Sequence, residues 1–449
     1  MKNGEHLLST EKVSKAFWKL ALPALITTLI SQIYNLTDTF FIGMLNDTAM
    51  LSAVSIAMPI MWLVNALSGM IGAGAPQLIS LKSGASDKES AARCRGFCVM
   101  GTLIMSIIVT PVAYLLMTPA LTLMNAKGAI MTHATEYLRI IILSTPVTAL
   151  SNALRGILGA DGYAQKSSIA GTAGIIANII LDPIFILVFD MGMAGAALAT
   201  ALGSVVSLVF SLIYTRGMID LRKFMPKPAD IGLIFKISLA STCTSVITAL
   251  TVGASFSMAA AFGGNTVASI SVCSKIYAVV VSIVSALAFS MQPFIGYNYG
   301  AGNYNRLLAG IGTSLKYGTL VCLAGFAVFM TCGEMLMGFF TNDPELIAYG
   351  GKVIKYLAIG LPVCALQQGA MSYLGGTGKA MRTLIVAMGR QVLVFVPMLL
   401  ILQHFFADIG MMLAYPVTDI ITTIPAVALC IGEIKKMYSE KKHAAQAAN

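Results

Sequence analysis

Long runs without a charged residue constrain this chain more than anything else in it. Such runs recur at 48–81, 96–126, 191–215, 237–274, 276–305, 317–333, 356–378 and 391–407. A helix crossing a bilayer needs about 20 mostly apolar residues, so each run can supply one crossing and the longest can supply a helix with its turn. A transmembrane β-barrel would instead show period-two alternation in segments of about ten residues. Stretches such as 320–330 and 392–402 do not alternate. Charged residues make up 11% of the 449, against about 25% in soluble domains, and the mean hydropathy is +0.82. The expected fold class is therefore all-α and integral to the membrane.

Twelve spans are expected, at approximately 16–42, 49–80, 96–119, 135–156, 167–189, 192–215, 232–262, 266–297, 312–339, 347–374, 382–404 and 409–433. The first sixteen residues are polar and mixed in charge, unlike a signal peptide. The eight cysteines are scattered, mostly through apolar spans, and read as reduced packing residues.

The net charge of +10 is explained by orientation. Lysine and arginine collect at both termini and in every even-numbered connection. Loop 2–3 has Lys82, Lys88, Arg93 and Arg95, loop 4–5 has Arg155 and Lys166, and loop 6–7 has Arg216, Arg222, Lys223 and Lys227. The opposite side holds Lys127, Lys352 and Lys355. Positive residues stay in the cytoplasm during insertion, so both termini are expected there, in a bacterial inner membrane. No nucleic acid or other polyanionic partner is needed to account for the charge.

An internal repeat runs at an offset of 216–218. Pro76 pairs with Pro293, Ser83-Gly84 with Gly300-Ala301, Pro146 with Pro362, Leu158-Gly159 with Leu374-Gly375, Gly162 with Gly378, and Thr200 with Thr418. Six spans per half is an even number, so both halves enter the membrane in the same sense, related by a pseudo-two-fold axis along its normal. The lobes are expected at 1–225 and 226–449.

Ionised side chains at the bilayer centre cost about 2.5–3.5 kcal/mol on insertion scales, so each needs a reason. Asp38 ends a polar stripe on span 1 that includes Thr27, Ser31 and Tyr34 at helical spacing. Pro23, upstream in the same span, has no N–H for the carbonyl four residues before it and marks an expected helix bend. Asp182 in span 5 follows Asn178 by one turn, and Thr200 lies in the small-residue segment of span 6. One reading is that these acids only hydrogen-bond between helices. The repeat weighs against it, because Asp38 falls on Ser255 and Asp182 near 398–400, all uncharged. Two carboxylates in one desolvated chamber resist joint ionisation, so the pair can hold a proton or bind Na+. In the second half, Lys275 or Arg390 can neutralise Asp419.

The segments PALITTLISQIYNLTDTFFIG, SNALRGILGADGYAQKSS, NIILDPIFI, GMAGAALAT, MQPFIGYNYGAGNYNRL and LGGTGKAMRTL resemble the multidrug and toxic-compound extrusion (MATE) family, in the bacterial branch that includes DinF-like proteins. The resemblance spans nearly the whole chain. It implies a non-enzymatic antiporter that exports organic, often cationic, drugs from the cytoplasm, with no cofactor beyond H+ or Na+ as coupling ion. It also implies that Asp38, Asn178, Asp182 and Thr200 hold that ion, with no further metal. Pro23 matches the family's bending proline. Tyr34, Asn152 and Asp38 are candidate cargo contacts, and a monomer in the bilayer is expected. Another branch uses acids in spans 7 and 10; those spans carry none here. The nearest alternative is a lipid-linked oligosaccharide flippase, whose pyrophosphate would call for several cavity arginines.

Overall fold

The computed structural model describes residues 2–44, 48–124, 126–259, 264–340 and 343–447; the side chains of 35–44, Asp38 among them, lie outside the described part. The described residues are helical almost throughout, with no strand among them. After a short N-terminal helix α1 (Lys2–Ser9) come α2 (Val13–Met44), α3 (Thr48–Ser68), α4 (Met70–Gly84), α5 (Lys88–Leu123), α6 (Ala129–Ala160), α7 (Ala164–Pro183) and α8 (Gly192–Thr215). There follow α9 (Pro228–Ala259), α10 (Gly264–Phe289), α11 (Gln292–Gly300), α12 (Tyr304–Gly338), α13 (Pro344–Ala358), α14 (Leu361–Gly376), α15 (Ala380–Met388) and α16 (Val396–Ala447).

Nine described helices are long and apolar enough to span a bilayer, and eleven if two bent pairs each count as one crossing. The bends are 44° between Ile56–Ser68 and α4, and 48° between α13 and α14. A twelfth crossing comes from the stretch Ala380–Ser439, which is broken at Ala407 by a backbone φ of +51°. That break falls in the gap expected between 404 and 409. A non-glycine residue in the left-handed region cannot continue a helix, so one 60-residue stretch makes two crossings.

Helix ends follow local chemistry. Asp87 caps α5 by accepting from the Ser90 N–H (3.1 Å), and Asp343, followed by Pro344, caps α13 through the Glu345 N–H (2.9 Å). The repeat reappears as matching turns. Gly162 (φ +82°) and Gly378 (φ +72°) end α6 and α14 in the left-handed conformation that glycine adopts freely. The next N–H reaches back five residues in each, Tyr163 to Leu158 (2.8 Å) and Lys379 to Leu374 (2.9 Å).

The chain forms two compact units, one of Met1–Ala249 with Pro293–Gly310 and one of Leu250–Gln292 with Ile311–Asn449. In the first, small residues such as Ala53, Ala57, Ala134 and Ala197 pack with Leu121, Leu138 and Ile142, while Ile71, Leu78, Ile79, Leu154 and Ile157 form a second cluster. In the second, Val353, Ile354, Leu357, Leu361, Phe395, Met411 and Met412 do the same. Large apolar side chains also face outward, including Leu115, Leu123, Val188, Leu393 and Phe405, each more than 70% exposed. Such a surface suits acyl chains. Lipid is as apolar as leucine, so close packing of small residues has to hold the helices together.

Within the first unit α4 crosses α11. A Cβ on Gly84 would overlap the Tyr297 carbonyl, and a Cβ on Gly300 would overlap the Leu81 carbonyl. Leu81 and Tyr297 stand 216 apart, as do Gly84 and Gly300. The contact is therefore reciprocal at an offset of 216, one residue from the register that aligned Ser83-Gly84 with Gly300-Ala301, and reciprocity of this kind is what a two-fold axis requires.

Candidate functional site

Four helices of the first unit line an open pocket of about 160 Å³ with several polar side chains. Tyr34 enters from α2, Thr148, Ser151, Asn152 and Arg155 from α6, Asn178 from α7, and Thr200, Ser204 and Ser207 from α8. Hydroxyl pairs join α6 to α8, with Thr148 to Ser204 at 3.0 Å and Ser151 to Ser207 at 2.8 Å. Two glycines set the α7–α8 distance. A Cβ on Gly174 would lie 2.6 Å from the Gly203 carbonyl oxygen, and one on Gly203 would lie 2.7 Å from that of Gly174. This backbone contact brings Asn178 onto Thr200.

The Asn178 Nδ2 donates to Thr200 Oγ1 at 3.2 Å, and the Tyr34 hydroxyl lies 3.5 Å from the same oxygen. Asn178 is 4% exposed, and its Oδ1 is buried with no hydrogen-bond partner among the described residues. One turn later Asp182 is fully buried. Pro183 and a π-helical turn, Ile184–Val188, follow at once. The missing proline N–H and the widened turn loosen the helix ladder beside the acid; such bulges are frequent at functional positions.

Of the residues singled out in the sequence, Tyr34, Asn152, Asn178 and Thr200 share this cavity, with Asp182 one turn beyond Asn178 on α7. Asp38 lies outside the described side chains. Pro23 lies inside α2, which runs through it as one helix. The Thr27 hydroxyl lies 3.1 Å from the Pro23 carbonyl, 2.9 Å from Ser168 Oγ and 3.2 Å from Thr172 Oγ1, fastening this part of α2 to α7.

Arg155 corrects the sequence reading. It was expected in loop 4–5, but α6 runs on to Ala160 and keeps Arg155 in the helix, where its side chain lines the cavity. Its Nε donates to the Ser167 carbonyl (3.3 Å) and its Nη1 to Asn152 Oδ1 (3.4 Å). The absence of a side chain at Gly171 makes room for the guanidinium, since a Cβ there would lie 2.6 Å from Arg155 Cζ. The facing glycine was the available signal, but it carries meaning only once α6 and α7 are known to pack together.

The second unit holds a different arrangement. Arg390 donates through Nε to Asp419 Oδ1 at 2.8 Å, and the Tyr277 hydroxyl donates to Oδ2 at 3.4 Å. Lys275 is exposed, so of the two basic candidates it is Arg390 that neutralises the acid. Arg390 sits in a second π-helical turn, Gly389–Phe395. Asp419 is 2% exposed. Removing one member of a buried pair typically costs about 3–5 kcal/mol, and Arg390, whose side chain is 33% exposed, belongs at the lower end. Arg390→Ala should therefore lower the melting temperature in detergent by several degrees. The double replacement Arg390→Met with Asp419→Leu should recover most of the loss; a double variant as unstable as the single one would refute a pairing role.

The broken spans, the two-fold repeat and a pocket lined by polar side chains within an apolar bundle define a polytopic transporter fold. The MatE family model matches this chain twice, over residues 23–184 and 237–400, once in each half. The chain belongs to the MatE family, a family of transporters. It is 27% identical over 434 residues to the multidrug export protein MepA of Staphylococcus aureus (strain MRSA252), covering 95% of each chain. Among solved structures it resembles an outward-facing multidrug resistance MATE family transporter of the MOP superfamily, with 25% identity and a TM-score of 0.89 over 97% of this chain and 98% of that one. A MATE structure in the bent conformation matches with 25% identity and a TM-score of 0.88, over 97% of this chain and 99% of that one.

Proposed function

We propose that this chain is an antiporter of the bacterial cytoplasmic membrane that couples inward movement of H+ or Na+ to export of organic, cationic or amphipathic drugs. The observation that carries the reading is the unsatisfied, buried Oδ1 of Asn178 beside the Thr200 hydroxyl, one turn from the fully buried Asp182. Buried polar atoms in a native fold are normally paired, and an oxygen left open in a cavity is a cation ligand in waiting. Size supports the assignment to the ion: 160 Å³ lies below the roughly 300–1,000 Å³ of drug-sized pockets. Tyr34 and Asn152 line the same small space, so their contact with cargo would be made at its mouth.

In the mechanism, an ion from outside neutralises Asp38 and Asp182 in the outward-open state and releases the bound cation. Neutralisation lets α2 bend at Pro23 and permits return to the inward-open state. Ion and drug compete for the same negative charge, so transport becomes exchange, driven by the different ion affinities of the two states. Two lobes, 1–225 and 226–449, would rock about a central chamber, both termini would be cytoplasmic, and the monomer would suffice.

Proteoliposomes with an imposed pH or Na+ gradient test this reading. Asp38→Asn and Asp182→Asn should each cut gradient-driven drug efflux by at least about tenfold, the loss of roughly 1.4 kcal/mol of coupling. Full efflux by both variants would end the coupling assignment. Translocation of a lipid-linked oligosaccharide, with no cation exported, would favour a flippase instead. Arg155 is the one cavity residue that leans that way, but two of its donor nitrogens are engaged by Ser167 and Asn152.

A further inference from the structure

A second hollow of the first unit plays no part in that reading. It is a groove of about 1260 Å³ between α1, α2 and the first half of α7. Four lysines mark one end of it. Lys15 and Lys19 stand one turn apart on α2, with Lys12 just ahead of its first residue, and Lys166 faces them from the first turn of α7. Lys15 and Lys19, four residues apart, share one helix face, with Lys12 at its N-terminal end. Glu11 pairs with Lys15 (3.3 Å) and Lys19 (3.0 Å), which leaves a net charge of three. Lys12 and Lys166 have no carboxylate partner among the described residues; Lys166 instead lies over the Tyr163 and Tyr214 rings, 4.9 and 5.8 Å from their centroids.

Away from this end the groove changes character. Trp18, Leu22 and Ile26 form its α2 wall, and Ile169, Ala173 and Ile176 its α7 wall. Leu22, Ile26, Ile169 and Ile176 are each more than 40% exposed. At 1.5 Å per residue, the wall from Lys19 to Ile26 is about 10 Å long and that from Lys166 to Ile176 about 15 Å. Fifteen ångströms is about half of a 30 Å hydrocarbon core, the depth of one leaflet. Trp18 sits at the junction of basic and apolar parts, the level at which tryptophan gathers in membrane proteins.

The geometry points to a site for an anionic phospholipid, its headgroup phosphate among Lys12, Lys15, Lys19 and Lys166 and one acyl chain along the α2–α7 wall. A soluble anion would satisfy the lysines and leave the apolar wall without a role. A neutral lipid would satisfy the wall and leave an uncompensated cluster of cations. Only an amphipathic anion matches both, and the bilayer supplies one in each leaflet. The site is separate from the ion cavity, and its test does not depend on transport.

The test uses the purified full-length transporter, exchanged with an equimolar mixture of phosphatidylglycerol and phosphatidylcholine and read by native mass spectrometry. The wild type should retain the anionic lipid over the neutral one by at least about tenfold, since each juxtamembrane lysine contributes about fivefold. The variant Lys12→Gln/Lys15→Gln/Lys166→Gln should bring the ratio close to one. A C-terminal control, Lys435→Gln/Lys436→Gln/Lys441→Gln, should leave it at the wild-type value. Ala173→Trp, which fills the groove without touching its charge, should also release the lipid. Wild-type retention in the triple variant, an equal loss in the control, or photolabelling of the groove by an amphipathic drug in place of lipid would each overturn the proposal. Elution volume and melting temperature of every variant separate loss of the site from loss of the fold.

Discussion

Replacing Gly203 with leucine is expected to abolish coupled transport while the protein still reaches the membrane. A Cβ there already comes within 2.7 Å of the Gly174 carbonyl oxygen and 3.0 Å of Asn178 Cβ. Backbone cannot step aside as a flexible side chain can, so α7 and α8 must separate. Overpacking of this kind costs about 1–3 kcal/mol, and the separation pulls Asn178 from Thr200, whose hydroxyl seats the amide. Efflux in proteoliposomes should fall at least a hundredfold, while Gly203→Ala should give an intermediate loss. Gly232→Leu, at a glycine with open space around it, is the control and should transport normally. Near-normal activity of Gly203→Leu would mean that the α7–α8 contact does not organise the site.

The crossing of α4 and α11 carries the other large effect. Either Gly84→Leu or Gly300→Leu would drive a side chain into a carbonyl of the facing helix. Because the contact is reciprocal, the two variants should be equally damaging, and the double variant little worse than either alone. The Ser83 hydroxyl is buried at this crossing. In a cysteine-free background, Ser83→Cys should therefore react slowly with a polar maleimide, and about tenfold or more faster once either glycine is replaced. Transport should be lost in parallel. Unequal effects would show that the sequence repeat does not carry through to the contact, and unchanged labelling would show that the crossing opens without it.

Much of this architecture was legible because apolar run length and charge sorting act locally. The twelve crossings follow from them, and the break between the last two fell at Ala407, inside the expected gap. The paired Gly162 and Gly378 turns were legible for a related reason, since a glycine after a helix end acts within five residues. What escaped depends on contacts far apart in the sequence. Arg155 sits near a span end and reads as a loop cation until Gly171, sixteen positions later, is seen to make room for it. Arg390 reaches Asp419 while Lys275 is exposed, and Arg390 lies in a π turn, whose changed helical pitch leaves no periodic trace in a sequence. In the first half Asn178 and Thr200 were singled out together, by family resemblance, and Tyr34 separately as a cargo contact; that the three meet at one pocket appears only in the structure. The bilayer-facing groove was not, because its lysines fit the orientation rule equally well.

The N-terminal helix was also overlooked, and the way it is held has a consequence of its own. Asn298 and Arg306 both donate to the Leu8 carbonyl, at 3.1 and 3.3 Å, and Arg306 donates again to that of Glu11 at 2.6 Å. The anchors grip main-chain oxygens, which every residue supplies alike. A saturation scan of residues 2–9 should thus find most polar positions permissive, while deletion of the same eight residues takes the Leu8 carbonyl away from both the buried Asn298 amide and the half-buried Arg306 guanidinium. Families that diverge under such a rule keep the length of a segment and let its letters drift, so alignment would undervalue this helix and a truncation series would reveal it.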